Sequence, residues 1–366
     1  MAGTIIDYVK ECGNRKWEAF PMNDVDSLVL CQLAYLKFDG MVPDLRENRA
    51  SVTLEDIYAH ADYEKLYADE RYEKDNRALF EAMLQSERYR KLRLNCYINI
   101  IEKEWETQFC AVTYLLEDGT MYLAYRGTDE SIVGWKEDFN MAFLNPIPGQ
   151  SYSLKYLNMV TGKLRNRFYV GGHSKGGNLA VYAAMKCSEQ VRSRIIKVYS
   201  MDGPGFRPEV LSLGHFDAVE QRIVKILPKS SLVGMLFEKD IRYKTVESKT
   251  FGLAQHNPYT WLVKDGHFVE ADDIYERSLR VNETINEWIL SLDAARLQIF
   301  VDTLYQVISA SEADNLIDFT ADLRKSMTGV VNALKEVDEE TAKMLKETVR
   351  SLFEIARDKI LKRKPR

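Results

Sequence analysis

The chain has 366 residues, of which 46% are hydrophobic and 29% are charged, and a formal net charge of −5 at neutral pH. These values are close to those of an average soluble globular protein, which excludes collagen-like and disordered classes. The mild acidity argues against nucleic acid as a partner, because such binding needs a concentrated basic face that neutralises phosphates.

The start of the chain lacks a basic segment followed by an apolar core, and no stretch reaches the apolar length of a membrane span. We therefore expect a cytoplasmic protein. The cysteines are scattered, odd in number and without C-x-x-C spacing, which is typical of reduced packing residues: Cys12, Cys31, Cys96, Cys110 and Cys187. No two histidines have the H-E-x-x-H spacing of a zinc site, so we expect no metal and no other cofactor.

The sequence pattern of residues 1–91 predicts a helical region that packs on the core of the protein. Closely spaced leucines indicate a first helix, namely Leu28, Leu30, Leu33 and Leu36. The stretch from Tyr58 to Tyr89 is charged and rich in tyrosine. We expect this stretch to form a solvated helical insertion.

Residues 92–270 have a different texture, with short β-like runs separated by helical segments or long loops. The runs are Asn95 to Ile101, Phe109 to Leu115, Met121 to Tyr125, Arg167 to Val170, Ile195 to Met201, Arg222 to Leu227 and Tyr243 to Glu247. An Asp118-Gly119 turn between the second and third runs predicts a hairpin. Strands that alternate with helices predict the α/β class, with a mostly parallel sheet flanked by helices.

Residues 271–366 contain no strand pattern, so we expect a helical C-terminal appendage. Ile285, Trp288 and Ile289 have helical spacing. A later predicted helix, from Thr341, combines an apolar stripe with the basic end 362–366. We expect an ordinary packing helix with a solvated tail there, and the alternative is weak contact with an anionic membrane surface.

A G-x-S-x-G pattern is formed by Gly172, Ser174 and Gly176. An apolar run ends at Val170 and a helix of small residues follows, which is the strand–turn–helix setting of a nucleophile elbow. The serine backbone would adopt a strained turn, and a Cβ at either glycine would clash with a neighbouring strand or helix. A phosphate loop is disfavoured because Gly177 stands where its lysine is required. A structural glycine turn is the alternative, and we predict that Ser174 is a nucleophile.

Two ordered motifs carry a family resemblance. An aromatic-R-G-[ST] segment at 125–128 is followed by W-x-x-D at 135–138, and G-H-S-x-G-G occupies 172–177. Together they resemble the class 3 (fungal triacylglycerol-type) lipases of the α/β-hydrolase superfamily, over roughly the middle half of the chain. D-G-P-G-F at 202–206 and Gln255-His256 with Trp261 resemble more closely an uncharacterised bacterial domain family with this core, which implies the fold but no substrate.

The serine hydroxyl needs an imidazole to take its proton and a carboxylate to orient that imidazole. In α/β-hydrolases the acid and then the histidine follow the serine along the chain. His256 lies in a loop after the last predicted strand and is the predicted base. His267, in a turn-like segment, is the alternative, whereas His215 precedes the predicted strand Arg222 to Leu227 and comes too early.

This sequence has no carboxylate at the position where the class 3 lipases carry the acid of the triad. The resemblance places that acid after the second strand that follows the elbow, where residues 228–231 contain no carboxylate. Asp202 ends the first strand after the elbow, at the sheet edge where ligands bind in such folds. We predict that Asp202 is the acid, with Glu238 and Asp240 as alternatives.

The resemblance also implies an oxyanion hole and a lid. Thr128 matches the lipase oxyanion residue through its N–H and hydroxyl, and the N–H of Lys175 is the second donor. The segment with Ser131, Ile132 and Trp135 matches a lid helix, in which Trp135 contacts either the core or an acyl chain. The Lys175 side chain hints at an anionic group on the substrate.

These features predict a serine hydrolase of the esterase/lipase type. It would cleave a carboxylic ester of a small molecule or lipid through an acyl-enzyme on Ser174. A thioesterase or amidase would use the same residues. A non-catalytic hydrolase-like module whose helical flanks bind a partner is a third hypothesis, favoured by the missing acid at the lipase position. No feature of the sequence fixes the acyl length or the oligomeric state.

Overall fold

The structure is a computed structural model of the chain. It describes residues 2–68, 72–102, 107–128, 137, 140–141, 144–213, 215–238, 242–293, 295–299, 301 and 343. Among the described residues, no helix combines the length and the apolarity that crossing a bilayer requires.

One eight-stranded sheet forms the centre of the molecule. Its strands lie side by side in chain order, as β1 (Val52–Thr53), β2 (Arg93–Glu102), β3 (Thr107–Leu115), β4 (Met121–Tyr125), β5 (Phe168–His173), β6 (Ile195–Met201), β7 (Ile223–Pro228) and β8 (Tyr243–Val246). The pairs from β1 to β4 are antiparallel, and β4 to β8 run parallel. The predicted α/β fold with a mostly parallel sheet is therefore confirmed.

Helices surround the sheet. They are α1 (Ile5–Cys12), α2 (Asp24–Leu33), α3 (Leu54–His60), α4 (Tyr63–Leu66), α5 (Glu73–Leu84), α6 (Pro148–Lys163), α7 (Lys175–Lys186), α8 (Glu189–Arg192), α9 (Pro208–Leu213) and α10 (Glu276–Ser291). Single 3-10 turns occupy Glu220–Arg222, Val233–Met235, Gly252–His256 and Pro258–Thr260. A small separate hairpin joins β9 (Val263–Lys264) to β10 (His267–Phe268).

The seven longer predicted runs all form strands, and their ends differ from the predicted ones by only a few residues. The predicted hairpin turn is also present, with Gly119 at φ +80° between β3 and β4. The short β1 and the β9–β10 hairpin have no sequence signal, because two residues are too few to establish an alternation of apolar and polar side chains.

The chain order of the parallel strands decides where their connecting helices lie. Right-handed crossovers between consecutive parallel strands place every connection on the same face of a sheet. Leu157 of α6, Leu179 of α7 and Val210 of α9 accordingly share one apolar cluster with Leu123 and Val170 of the sheet. The opposite face is left for other elements to cover.

The N-terminal region, residues 2–91, covers that opposite face. Ile5 of α1, Leu28 of α2 and Phe80 of α5 belong to a second apolar cluster that includes Tyr122 and Tyr199 of the sheet. Burial on both faces explains why β3 and β4 are almost entirely buried.

The stretch from Tyr58 to Tyr89 is less solvated than the sequence predicts. Leu66, Leu79, Phe80 and Met83 are fully buried in it, because helix α5 turns one apolar face onto the core. The charged residues of α5 lie mainly on its other face. Because they are abundant, the composition of the stretch predicts a solvated helix and does not indicate the short apolar stripe.

A buried ion pair fixes the end of this stretch. Arg88 donates through Nε and Nη2 to the carboxylate of Asp26 at 3.0 and 2.6 Å, and both side chains are fully buried. The guanidinium carbon lies 3.6 Å from the ring centroid of Trp17. The hydroxyls of Tyr8 and Tyr89 donate to the same carboxylate. Four segments of the N-terminal region therefore meet at Asp26.

Helix α10 docks on the loop that follows β7. The Asn282 and Asn286 side chains donate to the carbonyls of Ser231 and Met235, each at 2.9 Å. Trp288, one of the apolar residues with helical spacing, is buried there. The predicted helix from Thr341 and its basic end lie outside the described residues.

Candidate active site

Ser174 occupies the sharp turn between β5 and α7. Its backbone has φ +58° and ψ −131°, a conformation that side chains rarely adopt and that costs about 1–3 kcal/mol. Two backbone hydrogen bonds hold the turn, because the Ser174 N–H donates to Met201 O at 2.9 Å and Ser174 O accepts from the Gly177 N–H at 2.9 Å. The strained serine thus lies between two sheet strands and the first turn of a helix.

The two glycines of the G-x-S-x-G pattern are closely packed against backbone. A Cβ at Gly172 would lie 2.3 Å from the carbonyl carbon of Gly176. A Cβ at Gly176 would lie 2.1 Å from the carbonyl oxygen of Tyr125, on the neighbouring strand. Neither position accepts a side chain unless backbone moves, and the turn can pack this closely only with glycine at both.

Ser174, His256 and Asp202 form one hydrogen-bonded line. Nε2 of His256 lies 3.0 Å from Ser174 Oγ, and Nδ1 lies 2.6 Å from a carboxylate oxygen of Asp202. A carboxylate only accepts, so Nδ1 carries the hydrogen and donates to Asp202. Nε2 of the neutral ring is then free to accept the Ser174 hydroxyl proton. The three residues come from positions 174, 202 and 256 and meet at the carboxyl edge of the parallel strands.

The Asp202 carboxylate is fully buried and has its own supports. Its second oxygen accepts from the Ser231 hydroxyl and from the Gly234 N–H at 3.2 Å. Ser231 belongs to the segment where the lipase resemblance led us to look for the acid. That segment supplies a hydroxyl donor instead of a carboxylate. The carboxylate, Asp202, follows β6, and its donor, Ser231, follows β7. Sequence reasoning missed Ser231, whose one signal was its place after β7.

The loop that carries His256 is fixed by the residue before it. The Gln255 side chain accepts from the Ser230 N–H at 2.7 Å and donates to Thr250 O at 2.6 Å. The Trp261 indole N–H donates to Gln255 O at 2.8 Å. His256 is therefore attached to a loop that is fixed by these three hydrogen bonds.

The alternative residues lie elsewhere. His267 is exposed on β10, opposite Lys264, and His215 is also exposed. The Glu238 carboxylate contacts the ammonium of Lys225. Asp240 lies outside the described residues.

Thr128 and Lys175 stand on two sides of the serine. Thr128 is buried and directly follows Gly127, where a Cβ would lie 3.2 Å from Ser174 Cβ. Lys175 is the first residue of α7, so its N–H belongs to the positive end of the helix dipole, which favours developing negative charge. The lid residues Ser131, Ile132 and Trp135 lie outside the described residues.

The Lys175 side chain does not face a substrate, and the expectation of an anionic group drawn from it is wrong. Its ammonium is buried and donates to Glu137 at 2.8 Å and to Gln108 O at 3.0 Å. Glu137 also accepts from the backbone N–H groups of Gly149 and Gln108, at 2.8 and 3.2 Å. A buried charge requires such compensation, and the pair joins α7, β3 and the start of α6.

A mainly apolar groove of about 860 Å³ lies among the loops that follow β7 and β8 and the start of helix α10, and Ser174, Asp202 and His256 are not among the residues that line it. Leu232, Phe251, Tyr275 and Val281 form its apolar lining. Ser230 also lines it, one residue from the donor to Asp202. Phe251, which is 76% exposed, is one of the residues that line this groove.

Among the described residues, no group of three or more His, Cys, Asp or Glu side chains is arranged to hold a metal ion. The five cysteines are buried thiols.

Comparison with known proteins gives a matching family model and a distant structural similarity. No curated protein matches the chain. A solved structure described as M37 lipase is 13% identical, with a TM-score of 0.35, over 57% of this chain and 67% of that one. The family model Mbeg1-like matches residues 83–306, a span that contains the Ser174, Asp202 and His256 positions and more than half of the chain. The predicted relationship to lipase-like α/β-hydrolases is confirmed, and the chain belongs to the Mbeg1-like family.

Proposed function

We propose that the protein is a serine hydrolase of the esterase/lipase type, which cleaves a carboxylic ester through an acyl-enzyme on Ser174. The observation that carries this proposal is the unbroken line from Ser174 Oγ through His256 to Asp202, with 3.0 and 2.6 Å between the paired atoms. A hydroxyl, a base and an orienting carboxylate within hydrogen-bonding reach are what acyl transfer to serine needs.

Acylation begins when Ser174 Oγ attacks the ester carbonyl and its proton passes to His256 Nε2. The ring becomes an imidazolium, and the buried carboxylate of Asp202 stabilises this cation through Nδ1–H. The Ser231 hydroxyl and the Gly234 N–H donate to the second oxygen of Asp202 and hold this carboxylate in place.

The tetrahedral intermediate carries its negative charge on the former carbonyl oxygen. We assign its stabilisation to the N–H groups of Lys175 and Thr128, which flank the serine. The imidazolium of His256 then protonates the leaving alcohol, and the acyl group stays on Ser174. A water molecule, deprotonated by His256, attacks the acyl-enzyme, and release of the acid regenerates the free serine.

An acyl lipid is the substrate class that this site suits best. Membership of a lipase-like family supports a lipid ester. We assign the groove lined by Leu232, Phe251, Tyr275 and Val281 to the acyl chain, because its lining is mostly apolar and includes Ser230, the neighbour of the Ser231 that donates to Asp202. The binding-module hypothesis was supported by the missing acid at the lipase position and by the length of the helical flanks, and the hydrogen bond between Asp202 and His256 counts against the first of these arguments.

The test combines a mechanism-based probe with a series of esters. We expect a fluorophosphonate probe to label the full chain and to leave Ser174→Ala unlabelled, because phosphonylation needs the activated hydroxyl. Ser193→Ala, which removes an exposed serine hydroxyl, is the matched control and should label normally. Equal labelling of Ser174→Ala would contradict the proposal.

With p-nitrophenyl esters, kcat/KM should rise from acetate to octanoate as more of the acyl chain enters the groove. A preference for acetate would contradict the assignment of the groove, and faster turnover of matched thioesters or amides would change the substrate class while keeping Ser174.

A further inference from the structure

His173, the residue before the nucleophile, contacts the catalytic base. Its buried ring stacks on the His256 ring with the centroids 4.7 Å apart and the planes inclined by 35°. Its Nε2 lies 2.9 Å from the backbone carbonyl oxygen of His256. A carbonyl only accepts, so Nε2 of His173 carries the hydrogen and donates it. The base is therefore held by its ring and by its main chain.

Tyr35 fixes the other ring nitrogen of His173. The Tyr35 hydroxyl lies 3.3 Å from Nδ1, which is the accepting nitrogen when Nε2 carries the hydrogen. The same hydroxyl packs against the segment before Thr128, because a Cβ at Gly127 would lie 2.3 Å from Tyr35 Oη. Tyr35 thus lies between His173 and the strand end that precedes Thr128.

We propose that Tyr35 and His173 are positioning residues that hold His256 at the distance from Ser174 at which it can take the proton. This inference rests on the proposed function. The Tyr35 O–H donates to Nδ1 and so selects the His173 tautomer that donates to His256 O. Without the hydrogen bond from His173 to His256 O, the 3-10 turn Gly252–His256 would lose an anchor at His256 itself. A shift of the base by about 1 Å lowers an enzymatic rate up to about 100-fold.

The proposal assigns a role to the N-terminal region. Tyr35 follows α2, whose Asp26 is bound by Arg88. A second contact reaches the same loop, because the Tyr259 hydroxyl donates to the Asn76 side chain of α5 at 2.6 Å. The N-terminal region therefore supports the loop of the base at two points, at His256 through His173 and at Tyr259 through Asn76.

The experiment uses the full chain with Tyr35→Phe, His173→Phe, the double variant, and His173→Gln, which keeps an N–H donor. Tyr114→Phe is the matched control, since it also removes a buried tyrosine hydroxyl, one for which the described residues provide no hydrogen-bond partner. Circular dichroism checks that each variant is folded. The rate constant for phosphonylation of Ser174 is measured for each variant.

We expect His173→Phe to lower that rate about 10- to 100-fold and Tyr35→Phe to lower it about 2- to 10-fold. The double variant should be no slower than His173→Phe, because Tyr35 acts through His173. His173→Gln should recover part of the loss, and Tyr114→Phe should match the wild type. Wild-type rates in both single variants would overturn the proposal.

A second measurement does not depend on hydrolysis. The His256 Nδ1–H that donates to Asp202 should give a downfield proton resonance, assigned by its absence from His256→Ala. We expect this resonance to broaden or vanish in His173→Phe and to weaken in Tyr35→Phe. An unchanged resonance in both variants would overturn the positioning role. A wild-type protein that fails to react with the probe would contradict the proposed function alone, and the resonance would still test the positioning role.

Discussion

The parallel strands and the N-terminal region contribute differently to the site. The ends of β5 and β6 deliver Ser174 and Asp202, and a loop beyond β8 delivers His256. The N-terminal region supplies no member of this line, yet its Tyr35 and Asn76 contact the residues around the base. Ser174 and Asp202 thus lie at strand ends, and some of the contacts that support His256 come from the region that covers the opposite face of the sheet.

Among the described residues both regions contain buried ion pairs, and the pairs Asp26–Arg88 and Lys175–Glu137 have different positions relative to Ser174. Asp26 and Arg88 join helices and a loop far from Ser174 in sequence, whereas Lys175 and Glu137 join elements directly at the nucleophile. If the division between chemistry and support is right, substitutions at the strand ends should change turnover, and substitutions at the Asp26 pair should change stability.

The largest effect should follow from Asp202→Asn. An amide cannot keep His256 in the required tautomer or stabilise its cation, so we expect kcat to fall by about 10⁴ with little change in KM. The measurement is steady-state hydrolysis of a p-nitrophenyl ester, with unfolding curves to confirm that the variant is folded.

Glu238→Gln is the control for that prediction, because Glu238 is a carboxylate of the same sheet edge that contacts Lys225 instead of His256. It should retain most of the turnover of each folded molecule. A loss in Glu238→Gln as large as that in Asp202→Asn would move the acid away from Asp202.

We expect Arg88→Met to lower the stability of the protein strongly and to change the turnover of the folded protein only slightly. This variant leaves the fully buried Asp26 carboxylate without its cation, so the free energy of unfolding should fall by about 3–5 kcal/mol. Urea denaturation measures this change, and probe labelling of the folded fraction measures the chemistry.

The exposed pair of Arg280 and Glu276 provides the comparison, because Arg280→Met should change stability by about 0.5 kcal/mol or less. Arg88→Met together with Asp26→Asn should recover part of the loss, since no uncompensated charge is then buried. If folded Arg88→Met lost more turnover than Tyr35→Phe, the Asp26 pair would contribute to turnover as well as to stability, and the proposed difference between the two regions would be wrong.

The smallest effect concerns the thiols. Burial raises the pKa of the Cys31 thiol from 9.0 to about 12, and it also raises the pKa of the Cys12 and Cys187 thiols. The native thiols are therefore protonated and unreactive at pH 8, and they react only when the structure opens. The raised pKa favours the folded state below pH 9, and this contribution is lost as the pH rises from 9 towards 12.

We expect Cys12 and Cys31 of the N-terminal region to react with iodoacetamide at the same urea concentration as Cys187 of the parallel half. The N-terminal helices share an apolar cluster with sheet residues, so both parts should unfold together. Mass spectrometry of the labelled peptides gives the order. Earlier labelling of Cys12 and Cys31 would identify the N-terminal region as a separate unfolding unit.

Local patterns were sufficient for the strands and for the turn at Ser174. Runs of apolar residues and the spacing of Gly172 and Gly176 are properties of adjacent residues, and the structure has strands and a sharp turn where these patterns predict them. The position of Asp202 could be predicted because parallel strands present their carboxyl ends at one edge.

The supporting contacts could not be predicted, because each joins residues far apart in the chain. Tyr35 and His173 are 138 positions apart, and Asp26 and Arg88 are 62 apart. Lys175 was misinterpreted for the same reason, since Glu137, which neutralises it, is 38 positions away. No periodicity or motif encodes such pairs, and they become visible only once the sheet brings their elements together.

The chain order of the strands has a consequence for synthesis. Each strand pairs with the one made just before it, so a growing chain can extend the sheet at one edge without waiting for later segments. The strained serine turn is complete before the loop that bears its base has been made, and α10 closes over the Ser231 loop later still. Under the proposed function, a nascent chain therefore carries Ser174 before it carries the base, and the line from Ser174 to Asp202 is complete only after the loop with His256 has been made.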